Sequence, residues 1–257
     1  MIPDNFRIIK FCPNCLDPLL VSDEKGMIFQ RICKCEQKER AVSLARKMWE
    51  RGIAPPIFQK MTFESDKGYN PTVINKARKY VDNFSEISAA NIGLIFYGGV
   101  GTGKTFAAGC IANALINEGY TVIMLNPGAI TNLDPRNEYD KKILKSISEA
   151  DLVVFDDLGS ERNTEYATER IFIVLNDRIN ADKPIICTTN KEPREMAGQD
   201  MTIEQKRIYD RILGVTCPIR VDGDSIREKE KHIKVERLKQ IFAAAASGSD
   251  QERGGTA

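Results

Sequence analysis

The run Gly98-Gly99-Val100-Gly101-Thr102-Gly103-Lys104-Thr105 constrains this chain more than any other feature. It fits G-x-x-x-x-G-K-[ST]. Glycines at that spacing let the backbone curl until successive N–H groups face a single anionic oxygen. Apolar residues 92–97 precede the run, and residues 104–118 have helical composition. The context is therefore strand, loop, helix, as a phosphate-cradling loop requires. The helix start adds its positive dipole end. Gly99, Val100, Gly101, Thr102 and Gly103 supply the cradle. Lys104 is placed to reach the β and γ phosphates of a nucleoside triphosphate, and Thr105 to ligate Mg2+ through its hydroxyl. A glycine-rich turn can match such a pattern by chance, but the flanking strand and helix favour the phosphate loop.

Asp151-Leu152-Val153-Val154-Phe155-Asp156-Asp157 is an apolar run ending in two carboxylates. So continuous an apolar strand is expected in a parallel sheet covered on both faces, where ligands bind at the carboxyl ends of strands. Asp156 is then placed to hold Mg2+ and Asp157 to polarise an attacking water; the alternative is two surface aspartates. Residues 184–189 form another apolar strand ending in Thr189-Asn190. Its amide can hold that water or merely cap a turn. Strands expected at 92–97, 120–126, 151–155, 184–189 and 217–221 alternate with helices at 104–118, 139–149, 164–180, 202–213 and 225–242. This predicts an α/β fold with a parallel sheet flanked by helices.

The chain has 257 residues, enough for one such domain plus a small module, and its net charge of +1 neither favours nor excludes nucleic acid. No stretch approaches the ~18 apolar residues of a membrane span. No secretion signal is evident at the start, so a cytoplasmic protein with reduced thiols is expected. Four of the seven cysteines lie near the amino terminus: Cys12 and Cys15 as C-x-x-C, then Cys33 and Cys35 as C-x-C. Two close pairs at this separation predict a four-thiolate zinc site, with free thiols in a small core as the alternative. The C-x-C spacing is tighter than usual. Cys110, Cys187 and Cys217 fall in apolar contexts and are expected to be buried.

A basic amphipathic helix is expected over residues 36–51, ended by Gly52 and Pro55-Pro56. An extended linker follows, then a helix from Pro71 to about residue 87. The organisation read from the sequence is a metal module at 1–53, a linker at 54–70, a nucleotide-binding domain at 71–242 and a disordered tail at 243–257. Arg207 and Arg211 lie one helical turn apart and share a face, either solvated or able to stabilise charge on a neighbouring subunit's ATP. Arg227 begins the last helix; from spacing alone its role is open.

Taken in order, the phosphate loop, Phe155-Asp156-Asp157-Leu158-Gly159, Thr188-Thr189-Asn190, Arg207-Ile208-Tyr209-Asp210-Arg211 and Asp224-Ser225-Ile226-Arg227 resemble AAA+ ATPases. The set is most similar to the DnaC/DnaI group of replicative helicase loaders, and IstB transposition ATPases share much of the core. The resemblance covers roughly residues 54–231. It implies Walker A roles for Lys104 and Thr105 and Walker B roles for Asp156 and Asp157. It also implies sensor roles for Asn190 and Arg227, and an arginine finger at Arg211 with Arg207 as the alternative. Self-association through the AAA+ interface follows, as does a weak, DNA-stimulated ATPase activity. Many AAA+ proteins carry Glu where this chain has Asp157. The shorter side chain implies slow hydrolysis, suited to a switch.

The resemblance further implies that the amino-terminal module contacts the replicative DNA helicase, with Trp49 offering an aromatic anchor or simply packing the helix. Residues 126–149 lie where initiator-type relatives insert a helix that touches single-stranded DNA. Arg136, Lys141, Lys142 and Lys145 are candidate phosphate contacts there, and Tyr139 is the nearby stacking aromatic. A solvated face explains the same charges. A transposition helper ATPase is the alternative function, which the cysteine module argues against.

Overall fold

The computed structural model describes residues 5–160, 164–196, 198 and 201–249. The chain begins with a small antiparallel sheet of β1 (Arg7–Phe11), β2 (Pro18–Ser22) and β3 (Ile28–Gln30), with β2 in the middle. Between β2 and β3 the Asp23 carboxylate accepts from the N–H groups of Lys25 and Met27 at 3.0 and 2.8 Å, closing the turn. Helix α1 (Lys34–Glu50) follows and buries Ala41, Ala45 and Met48.

The boundary expected after residue 53 does not hold as drawn. Met48, Ile53, Ala54 and Phe58 belong to the main hydrophobic core, and Trp49 packs against it. The expected linker is two short 3-10 turns, Pro56–Lys60 and Phe63–Ser65. Asn113 reaches back to hold the first of them. Its amide donates to the Phe58 and Met61 carbonyls at 2.7 and 2.9 Å. A methyl group on Gly109 would meet Met61 Cβ at 2.6 Å, so only glycine admits this approach. The apolar residues among the prolines anchor the segment. Pro55-Pro56 shapes a docked turn and does not form a free tether.

The central domain is a parallel five-stranded sheet in the order β5-β6-β7-β4-β8. Its strands are β4 (Gly93–Tyr97), β5 (Val122–Leu125), β6 (Leu152–Phe155), β7 (Ile185–Thr189) and β8 (Thr216–Arg220). β5, β6 and β7 are buried on both faces, as their unbroken apolar runs require. β8 is an edge strand; it holds Pro218 and leaves Cys217 exposed, against expectation. Cys110 and Cys187 are buried as expected.

The predicted helix from Pro71 to 87 is broken into α2 (Pro71–Asp82) and α3 (Phe84–Ala89). Asn83 makes the break: its amide takes the Lys79 carbonyl at 2.7 Å. Phe84 then turns inward against Tyr120, with ring centroids 4.8 Å apart. Helices α4 (Lys104–Glu118), α6 (Glu138–Glu149), α7 (Glu165–Asn180) and α9 (Ile203–Val215) fall close to the expected positions. The short α5 (Pro127–Ile130) and α8 (Pro193–Met196) were not legible. Helix α10 (Ile226–Ser249) runs beyond the expected end at 242, through the helix-forming alanines 243–246. The rest of the expected disordered tail, 250–257, lies outside the described residues.

Candidate nucleotide site and cysteine cluster

The strand order brings the carboxyl ends of β4, β6 and β7 side by side, beneath a cleft of about 660 Å3. Val100, Gly101, Thr102, Gly103, Lys104, Thr105, Asp156, Asp157, Asn190 and Arg227 all line it. Gly99 contributes its carbonyl beneath Lys104. The Lys104 ammonium donates to the carbonyls of Gly98 and Gly99 at 2.9 and 2.6 Å. Burial pushes its pKa below the ordinary lysine range, and nearby Asp157 pulls it back. Gly101 has φ of +79°, and a methyl there would meet Ser225 Oγ at 2.4 Å. The loop is fastened to the start of α10 at that point, since Ile226 N–H donates to the Gly101 carbonyl at 2.9 Å.

Thr188 organises both aspartates. Its hydroxyl donates to Asp156 Oδ1 at 2.7 Å and accepts from the Asp157 N–H at 2.8 Å. Burial pushes the Asp156 carboxyl up, while hydrogen bonds from Thr188 and Thr105 hold it down. The Thr105 hydroxyl and the Asp156 carboxylate, the two expected Mg2+ ligands, are thus neighbours. Both offer hard oxygen donors, the chemistry a small divalent cation takes. Asp157 sits in the left-handed region at φ of +59°, and Asn190 donates to its Oδ1 at 3.1 Å. The strained turn points the second carboxylate into the cleft.

Several residues in and beside the cleft escaped sequence reading. Asn70 caps α2 and donates to the Asp222 carbonyl at 3.0 Å, tying the domain entry to the loop before α10. Asn-Pro at a helix start was the available signal. Asn126 lines the cleft and caps α5. Lys67 bridges to Glu230, one turn beyond Arg227, at 2.6 Å across the mouth. Only the tertiary fold shows that pairing, because the two residues are remote in sequence.

Arg207 and Arg211 are exposed on α9 and do not line this cleft. Arg211 lies over the Phe172 ring of α7 at 5.7 Å. Arg136, in the turn before α6, and Lys141, Lys142 and Lys145 on α6 are exposed, with Lys141 paired to Glu138 and Lys145 to Glu149. Such exposed pairs contribute little to stability.

The four amino-terminal cysteines also converge. Cys12 and Cys15 sit in the turn after β1; Cys33 caps α1, and Cys35 lies in its first turn. Cys35 Sγ lies 3.4, 3.6 and 3.0 Å from the sulfurs of Cys12, Cys15 and Cys33. Tetrahedral zinc, with Zn–S near 2.3 Å, places its sulfurs about 3.8 Å apart, so the donor set fits that ion. Hydrogen bonds from the Cys15 and Asn14 backbone bring the Cys12 thiol down to about 6. Asp17 links the two pairs by accepting from Lys34 N–H at 2.7 Å. Among the described residues no helix is long and apolar enough to cross a membrane.

Residues 38–234 match the family described as IstB-like ATP binding protein. The chain is 26% identical over 238 residues to the replicative helicase loader DnaC of Escherichia coli (strain K12), covering 87% of this chain and 94% of that one. A crystal structure of DnaI shares the fold at a TM-score of 0.55 and 20% identity, over 66% of this chain and 95% of that one. The replication initiator DnaA bound to AMPPCP and single-stranded DNA shares it at 0.52 and 19%, over 73% and 56%.

Proposed function

This chain belongs to the IstB-like ATP-binding family, and from that premise we propose that it is an ATP-controlled loader of a replicative DNA helicase. The observation that carries the proposal is the convergence of the phosphate loop, the Thr188–Asp156 bond and the Asn190–Asp157 bond in one cleft, in a chain similar to DnaC along most of its length.

In this reading the loop N–H groups and Lys104 bind the ATP phosphates, with Lys104 exchanging its bonds to Gly98 and Gly99 for phosphate oxygens. Thr105 and Asp156 hold Mg2+, which when bound neutralises phosphate charge. Asp157 orients the attacking water and is itself held by Asn190. Arg227 faces the γ-phosphate end of the cleft from the same chain. Arg211 lies away from its own cleft, which suits action on a neighbouring copy's ATP. Hydrolysis is slow because Asp157 is short.

The amino-terminal module takes the helicase and, with Cys12, Cys15, Cys33 and Cys35, one zinc ion. Its surface suggests the contact. Ile9, Phe11, Leu16 and Ile28 are about half exposed or more, whereas Trp49 packs against the core. These residues, and not Trp49, form the apolar anchor. Helix α6 takes single-stranded DNA.

Capture of the cognate replicative helicase on this chain, with and without ATP, tests the proposal. Wild type should retain the helicase; Phe11→Glu with Ile28→Glu should lose it and keep ATP binding. Equal capture by both would remove the module from the contact. No capture by either would remove the loader role.

A further inference from the structure

The ring of Tyr139 is covered by a cation from another part of the chain. The guanidinium carbon of Arg51 lies 3.5 Å from the ring centroid. Tyr139 stands in the first turn of α6, and Arg51 caps the far end of α1. The two residues are remote in sequence and on different elements, so the contact follows from how α1 packs on the core.

We propose that Tyr139 is a stacking site for one base of single-stranded DNA and that Arg51 gates it, occupying the ring until a base displaces the guanidinium. The inference rests on the reading of α6 as the DNA-contacting helix, with Tyr139 as its stacking aromatic, and adds the gate.

Three observations support it. First, the occupant has the right shape: a planar guanidinium on an aromatic face marks a surface that accepts a flat π partner, and a nucleobase is a larger one. Second, the surroundings suit a strand. Tyr139 remains partly exposed, and Lys142 and Lys145 on the following turns are exposed cations that can follow a phosphate backbone.

Third, the gate moves without unfolding anything. Gly52 N–H donates to the Trp49 carbonyl and Ile53 N–H to the Met48 carbonyl, at 2.9 and 3.0 Å, and Ile53 and Ala54 are buried just beyond. The Arg51 backbone is therefore fixed, whereas its side chain is exposed. An exposed cation–π contact is weak, and base stacking on an aromatic residue is typically stronger, so the exchange favours the base. Because α1 begins in the cysteine cluster, the gate lies at the opposite end of the helix that the amino-terminal module holds.

The test must separate competition for the ring from the ordinary attraction of Arg51 to phosphate. Binding of an oligo-dT strand and of an abasic strand of equal length is measured for wild type, Arg51→Met and Tyr139→Leu, in full-length protein with ATP binding as the control for folding. Phosphate terms cancel in the ratio of the two affinities. Arg51→Met should raise the preference for oligo-dT by about two- to fivefold, the reverse of losing an exposed cation–π contact. Tyr139→Leu should abolish the preference. An unchanged or smaller preference in Arg51→Met overturns the gate. A wild type that binds both strands equally well overturns the base site. Failure of every protein to bind either strand overturns the DNA-binding reading itself, a different result from either of those.

Discussion

Replacing Thr188 with valine keeps the side chain's shape and removes the one hydroxyl shared by the two aspartates. Thr188 is 1% exposed, and its hydroxyl donates to Asp156 Oδ1 while accepting from Asp157 N–H. Losing a hydrogen bond to a buried carboxylate costs about 1.5–3 kcal/mol, and stranding the Asp157 N–H adds part of ~1–3 kcal/mol. Asp157 is only half-buried, so water recovers some of the second contribution. A net loss of about 2–4 kcal/mol lowers the melting temperature of a chain this size by roughly 4–16 °C. Thr188→Ser keeps the hydroxyl and should lose only ~0.5–1.5 kcal/mol for one methyl group.

The pH dependence fixes the cause. The Thr188 bond favours the ionised Asp156, so its contribution is present above the Asp156 pKa and is lost as pH falls through it. Thermal unfolding without nucleotide, repeated across the acidic range, should show the Thr188→Val deficit shrinking toward low pH. Protons should also compete more effectively with Mg2+ in the variant. Thr188→Val melting with wild type at neutral pH would refute the reasoning. A deficit that does not change with pH would place its origin in packing.

Gly101→Ala forces a methyl against Ser225 Oγ in a left-handed backbone, a strain of about 1–3 kcal/mol; titration with a fluorescent ATP analogue should show weakened binding from a folded protein. One zinc per chain is expected by metal mass spectrometry, and Cys12→Ser with Cys33→Ser should lose it. Chelation should loosen β1–β3 and leave Trp49 fluorescence and ATP binding intact, because Trp49 packs on the main core. Arg211→Ala and Lys104→Ala should each abolish turnover, and mixing the two should restore part of it. Normal turnover by Arg211→Ala at every concentration would remove the trans role.

The parallel sheet was legible because β5, β6 and β7 are buried on both faces and appear as unbroken apolar runs between helices. The phosphate loop and the Asp156-Asp157 pair were legible for a related reason. Close backbone approach and strand-end placement both demand particular residue types at fixed spacing. Thr188 was in view as part of Thr188-Thr189-Asn190, yet its role was not. A hydroxyl that bonds the two residues just past the adjacent strand is defined by the β6–β7 register, which no local pattern encodes. Lys67 with Glu230 and Asn70 with Asp222 are hidden in the same way.

The amino-terminal third misled most where composition and packing disagree. Its basic helix and Pro55-Pro56 suggest a detachable module on a stiff tether. Local sequence cannot show that Met48, Ile53, Ala54 and Phe58 are the residues that complete the face of α4 and β5. With α1 seated there, the cysteine cluster at its start and Arg51 at its end share one rigid element, whose 17 residues span about 25 Å. A partner pulling on the cysteine module therefore acts on a helix packed against α4, which begins at Lys104, and against β5, which is followed directly by Asn126 on the cleft wall. On a flexible tether such a pull would be absorbed in the linker. On a docked helix it is carried along α1 to its far end, where Arg51 meets Tyr139 and the following Pro55, Ile57 and Phe58 line the nucleotide cleft, so in the proposed reading helicase, nucleotide and DNA are coupled through a single element.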